Sequence, residues 1–300
     1  MTNPVASGTE PAPTVLTEYP PRRFHWAVRL LLAMVSMFAL QLFGVIPMVL
    51  VPRADPAAGY SFANLAIVSA IPLSMAFGGV VLTWLLMRFV DRRPLRLSGL
   101  SLNRWTVPHL ALGIAVVVGL NVLVLWLMKV ASLTSPATGM KFEANVWVGI
   151  YVSLLMGFGA QGFPEEAIFR GYLMQTLVPR NPWALSWWSA ASFGILHLLS
   201  NSGQSGIVER IVYLIQPFGF AFLACALVLV TRNLWVAVGI HGGNHIVTGM
   251  LQPFVLDIAD GPLIWTVMGF AELGLGVAIL AWHVRRTGLV TVLDPLYATK

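Results

Sequence analysis

Apolar residues run along this chain in blocks long enough to cross a bilayer, separated by short polar stretches. A spanning helix needs about 20 mostly apolar residues. The pattern predicts such helices over 26–51, 62–87, 108–128, 145–163, 183–200, 211–230, 234–252 and 263–283. The fold class expected is therefore an all-α integral membrane protein of about eight transmembrane helices in one domain. Residues 1–24 read as a disordered cytoplasmic tail, rich in Pro, Thr, Ser and Glu and without periodicity. The polytopic domain is expected over 25–290, followed by a C-terminal tail at 291–300. The first apolar block begins near Trp26, is too long for the apolar region of a signal peptide and lacks a small-residue cleavage site, so it reads as a first span. No internal repeat of the kind found in many transporters is visible.

The polar stretches fix an orientation. Arg22 and Arg23 precede the first span, and Arg88, Arg92, Arg93, Arg96 and Arg104 separate the second from the third. Arg170 and Arg180 follow the fourth, Arg232 the sixth, and Arg285 and Arg286 the eighth. The alternate loops hold Arg53, Lys129, Lys141 and Arg210 with Asp257 and Asp260. The positive-inside rule then places both termini in the cytoplasm of a multi-pass protein of the cell (inner or plasma) membrane. Composition agrees: 57% of residues are apolar and 10% charged, against about 25% charged in soluble domains. The net charge of +6 follows from arginines at span ends, not from a nucleic-acid patch, and none is expected as a partner. The single cysteine, Cys225, excludes an intramolecular disulfide and a cysteine zinc cluster. Trp26, Trp105, Trp147, Trp183, Trp235 and Trp282 fall near predicted span ends, as an interfacial belt requires.

Against this background the ionisable residues between 165 and 245 stand out, because such groups inside a membrane are costly and mark function. The segment Phe163-Pro164-Glu165-Glu166-Ala167-Ile168-Phe169-Arg170 is the strongest signal. Pro164 is suited to a helix start, and the glutamates would occupy the first turn. Glu166 and Arg170 are spaced i, i+4 with the acid first, so they can pair. Glu165 points about 100° away and has no local basic partner, which leaves it for chemistry. On soluble helices the same string is more often a solvated acidic start; the apolar flanks here argue against that. A lone histidine such as His197, after Phe193 in an apolar helix, is more often a satisfied core residue. In His241-Gly242-Gly243-Asn244-His245, however, His241 and His245 share a helix face and can serve one water or one metal. Gly242 and Gly243 permit close helix approach.

The order E-E-x-x-x-R, F-x-x-x-H and H-x-x-x-N/D across apolar helices resembles the CPBP intramembrane proteases. These include CAAX prenyl endopeptidases and bacteriocin-processing or bacteriocin-immunity (Abi) proteins. The matching residues are Glu165, Glu166, Arg170, Phe193, His197 and His241. Arg92-Arg93-Pro94-Leu95-Arg96-Leu97-Ser98-Gly99-Leu100 also looks like the loop preceding the family core, so the resemblance covers about 88–252. One position departs: where the family has Asn or Asp, this chain has His245, with Asn244 one residue earlier. The resemblance implies a peptide bond hydrolysed by a water that Glu165 activates. His197 and His241 would bind a metal or hydrogen-bond the water and oxyanion, and Asn244 or His245 would complete the site. Glu166, Arg170 and Phe193 would support it. A divalent metal, with zinc one candidate, would use Glu165, His197 and His241. The partners implied are the bilayer and a peptide or protein substrate.

Other chemistries fit less well. There is no H-E-x-x-H, no mid-span aspartate pair, and Gly203-Gln204-Ser205-Gly206, which spells a rhomboid-like serine motif, lies in a polar loop. Two alternatives stay open: a catalytically silent scaffold or immunity-type protein of the same fold, and a proton-coupled transporter using Glu165, the histidines and Glu272. Convergence of Glu165, His197 and His241 on one cavity favours hydrolysis. If Glu272 joins them along a transmembrane path, transport gains. The helix beginning at Pro164 is expected to be partly embedded, with its glutamates facing a cavity reached from the cytoplasm.

Overall fold

The computed structural model describes residues 22–50, 61–137, 146–178, 180–200, 203–292 and 296–297. The predicted amino-terminal tail as far as residue 21, Arg53 and Lys141 lie outside them. Among the described residues the fold is helical, with one isolated antiparallel bridge between Arg180 and Val292. Eight long helical runs follow the apolar blocks. They are α1 (Trp26–Leu50), α2 (Phe62–Leu85, continued by a wide turn over Leu86–Asp91) and α3 (Thr106–Val130). Next come α4 (residues 146–177), α5 (Pro182–Leu196, ending in a tight turn at His197–Leu199) and α6 (Ile207–Thr231). The last two are α7 (Trp235–Ile246, extended by wide turns over Val247–Val255) and α8 (Pro262–Thr287). Five of these, α1, extended α2, α3, α6 and α8, are long and apolar enough to cross a membrane. The chain is a multi-pass membrane protein.

Local chemistry sets several boundaries. Ser61 caps α2 by accepting from the Asn64 amide, and Asn181 caps α5 by accepting from Ala184, with Pro182 at the first helical position. In α4, α-helical Val146–Leu154 gives way to wide turns over Leu155–Gly162, a short α segment Phe163–Glu166, wide turns over Ala167–Met174 and a last turn at Gln175–Leu177. Pro164 therefore does not start a new helix. It lacks an N–H, and an ordinary turn would press its ring against the carbonyl four residues back. The widened ladder, in which the Phe163 N–H reaches Phe158 O, lets the run continue through it.

Hydrogen bonds gather alternate helix ends into two layers. At one end the Arg22 guanidinium donates to Asp91 at 3.0 Å and to Val178 O and Gln175 O at 2.7 Å each. Thr176 Oγ1 donates to Asp91, Val292 N donates to Arg180 O, and Trp235 Nε1 donates to Ser101 O. This layer holds the starts of α1, α3, α5 and α7 and carries most of the arginines. At the other end, Arg210 donates to Leu198 O and Ser200 O, Lys129 donates to Leu256 O, and Ala259 N donates to Ser135 O.

Backbone contact positions the site helices. A Cβ on Gly113 of α3 would lie 2.1 Å from Val236 O of α7, and one on Gly239 would lie 2.2 Å from Leu110 O. The two backbones touch, as small residues allow in membranes. A Cβ on Gly79 of α2 would fall 2.5 Å from Pro164 Cα, so α2 rests on the turn that carries the two glutamates.

Candidate active site

The adjacent glutamates point in different directions. Glu166 is fully buried and accepts from Arg170 Nη1 at 2.8 Å, the i, i+4 pair anticipated from spacing. Arg170, also fully buried, donates to Ala221 O at 3.0 Å and lies 5.0 Å over the Phe193 ring. Its own carbonyl accepts from Tyr297 Oη at 2.8 Å. A buried charge is tolerated only when paired and hydrogen-bonded; Glu166 Oε1 and the Arg170 Nη atoms meet this, while Glu166 Oε2 and Arg170 Nε have no hydrogen-bond partner among the described residues. His241 Nδ1 meets the same Glu166 oxygen at 2.9 Å. Paired with the guanidinium, Glu166 acts as acceptor, so Nδ1 carries the hydrogen and the lone pair lies on Nε2.

Glu165 faces a cavity of about 710 Å³, and its Oε2 lies 4.0 Å from His241 Nε2. Its side chain is 13% exposed, so it is not in bulk solvent. His197, His241, Asn244 and His245 line the same cavity. His197 holds its ring by an Nδ1 contact of 3.1 Å to Phe193 O. Since a carbonyl only accepts, Nε2 is again the lone-pair nitrogen. Phe193 packs 4.7 Å from His197 and 5.7 Å from His241 between ring centroids, setting the spacing of the two imidazoles. His245 stacks on His241 at 5.2 Å.

The departure at the family's Asn position has a geometric resolution. His241, Asn244, His245, Thr248 and Gly249 all line the cavity, which is one i, i+3, i+4, i+7, i+8 stripe of α7. Positions i+3 and i+4 both neighbour i, so Asn244 reaches the cavity alongside His245. Its Oδ1 accepts from Asn121 Nδ2 at 3.2 Å, leaving its own NH₂ group for the cavity. Gly242 meets Phe158, and Gly243 meets Val117, at distances that a side chain would not permit.

Asn121 also donates to Glu272 Oε1 at 2.8 Å. Glu272 is fully buried and does not line the cavity. It stands behind the site, joined to it through Asn121 and Asn244. Sequence reasoning missed Asn121, and also Gln41, Gln161, Gln216, Tyr213 and Asp260 in the cavity wall. The glutamines carried a readable signal, as polar residues inside apolar blocks. Ser205, by contrast, is exposed, its backbone N–H donates to Glu209, and it lies outside the cavity wall.

The histidine tautomers would suit metal ligation, with the second ring nitrogen held by a carboxylate or carbonyl. These side chains share a cavity without forming a ligand cluster, however. Among the described residues no group of three or more His, Cys, Asp or Glu side chains is arranged to hold a metal ion.

The cavity's lining lies toward the layer opposite the arginines, whereas entry from the arginine side is expected from the sequence. Its walls come from the middle of α1 and α4, the end of α5, the start of α6, the second half of α7 and Asp260. Toward the arginine layer it is closed by fully buried Phe169, Arg170, Tyr172 and Leu173. Behind them Leu296 N donates to Gln175 Oε1, and Tyr297 packs on Gly99.

A search of curated proteins returned no match to this chain. Residues 145–247, which span Glu165 through His245, match the model of the family described as Type II CAAX prenyl endopeptidase Rce1-like. The match is to that segment alone, and it agrees with the resemblance that the glutamate and histidine motifs carry.

Proposed function

We propose that this protein is an intramembrane endopeptidase in which Glu165 activates water directly. The observation that carries the reading is the meeting of Glu165, His197, His241, Asn244 and His245, drawn from three helices, around one cavity. Glu165 takes a proton from a water whose oxygen attacks the substrate carbonyl carbon. The other O–H of this water donates to Nε2 of one of the two histidines, His197 or His241, and that contact orients it. The Asn244 NH₂ group and His245 donate to the developing oxyanion, an effect worth roughly 10²–10³ in rate per donor in comparable sites. As the C–N bond breaks, Glu165 delivers the proton to the leaving amine. Glu166, Arg170 and Phe193 hold the histidines and do not touch substrate. We further propose eight crossings of the cell membrane with both termini cytoplasmic, on the arginine distribution.

The test is cleavage of a peptide library by the purified protein in detergent, with Glu165→Ala and His197→Ala alongside and a chelator in parallel. Loss in both variants with folding intact is expected, and no effect of the chelator. Chelator inhibition reversed by zinc would instead assign a metal-bound water. Cleavage surviving both substitutions would return the silent-scaffold reading. Glu272 does not line the cavity and is linked to it through Asn121 and Asn244, a contact that orients Asn244 and offers transport no open path.

A further inference from the structure

The two layers of the fold differ sharply in charge. The first carries Arg22, Arg23, Arg92, Arg93, Arg96, Arg104, Arg180, Arg232, Arg285 and Arg286 beside the starts of α1, α3, α5 and α7 and the ends of α2, α4, α6 and α8. Among the described residues the second carries Lys129 and Arg210, against Glu209, Asp257 and Asp260. Such an excess of arginine in short loops marks the cytoplasmic side. Most cavity-lining residues of α5 and α6 lie toward the second layer: Leu196, His197, Leu199 and Ser200 at the end of α5, with Tyr213, Gln216 and Pro217 near the start of α6, while Phe193 and Phe220 line its deeper part. Asp260, at the mouth, lies in the connection between α7 and α8. The first layer is sealed. Arg22, Asp91 and Thr176 tie α1, α2 and α4 together, and Leu296 and Tyr297 close over Gln175 and Arg170.

We propose that the catalytic cavity is entered from the non-cytoplasmic face, so that its substrates are peptide segments presented there, from exported or membrane-anchored proteins. The proposal rests on the endopeptidase reading for what happens in the cavity, and on the helix directions and the arginine layer for where it opens. The wall chemistry narrows the class. Among the described residues it includes two carboxyl groups, Glu165 and Asp260, and no lysine or arginine. An internal peptide bond flanked by neutral or basic residues meets a compatible surface there.

Impermeant thiol labelling tests the geometry without requiring turnover. The one native cysteine, Cys225, is buried, so the unsubstituted chain serves as blank. In intact cells an impermeant maleimide should label Asp260→Cys and Ser200→Cys, and label Arg285→Cys only after permeabilisation. The reverse pattern overturns the proposal. Labelling of Ser200→Cys only after permeabilisation, with Asp260→Cys labelled in intact cells, overturns entry by this route while leaving the orientation in place. A second arm uses a peptide that the detergent-purified enzyme cleaves. Right-side-out vesicles should cleave it when it is added outside, and sealed inverted vesicles should not until detergent is added. Equal cleavage by both, or cleavage by inverted vesicles alone, contradicts the proposal. A purified enzyme that cleaves nothing removes the endopeptidase reading and leaves the labelling result to stand by itself.

Discussion

Glu165 and Glu166 are neighbours in sequence, yet they belong to two different regions of the molecule. Glu166 looks into the sealed half, where Arg170, His241 and, through Arg170, Tyr297 take up its surroundings. Glu165 looks into the open half, where it lines the cavity with His241 Nε2 at 4.0 Å. One helical step separates a residue that holds the protein together from one that is free to exchange protons. The lesson concerns polar groups in membranes: those paired within the protein serve architecture, and those left facing a cavity are available for chemistry.

That contrast orders the expected effects of substitution. Glu165→Gln should lower kcat by roughly 10²–10⁴, the usual contribution of a general base, with thermal stability close to wild type. Arg170→Ala leaves Glu166 buried without its counter-charge and should destabilise the fold by about 3–5 kcal/mol, read as a fall in the denaturation midpoint in detergent. Asn244→Ala should cost about 10²–10³ in kcat with little change in stability. Asn121→Leu should produce part of the same loss by freeing the Asn244 amide to rotate, recovered in Asn121→Gln if a donor still reaches it. The smallest effect is expected at the seal, where Tyr297→Phe removes one hydrogen bond to Arg170 O, worth about 0.5–1.5 kcal/mol, with kcat unchanged. If Tyr297→Phe instead altered kcat as strongly as Asn244→Ala, the division between the two halves would be wrong.

How far the sequence revealed this division depended on the range of each interaction. The Glu166–Arg170 pair was legible because i, i+4 contacts are local. The five long apolar helices follow from hydropathy alone. The depth of Glu165 was not legible. A break at Pro164 put it at the end of a span, whereas α4 continues through wide turns and carries it roughly 15–18 Å from its last turn at Leu177 at ordinary helical rise. The Asn244–Asn121–Glu272 relay joins residues 123 and 151 positions apart, and no periodicity encodes such a meeting. Nor does a short segment after the last apolar block announce that Leu296 and Tyr297 pack into the core.

The most direct measurement sets the two glutamates side by side. Glu165→Gln and Glu166→Gln would be purified in the same detergent, and each assayed both for peptide cleavage and for thermal unfolding. The account predicts a split: Glu165→Gln folds like wild type and cleaves at least about 100-fold more slowly, while Glu166→Gln lowers the unfolding midpoint markedly. Equal activity losses with equal stability, or a Glu165→Gln enzyme as active as wild type, would contradict it.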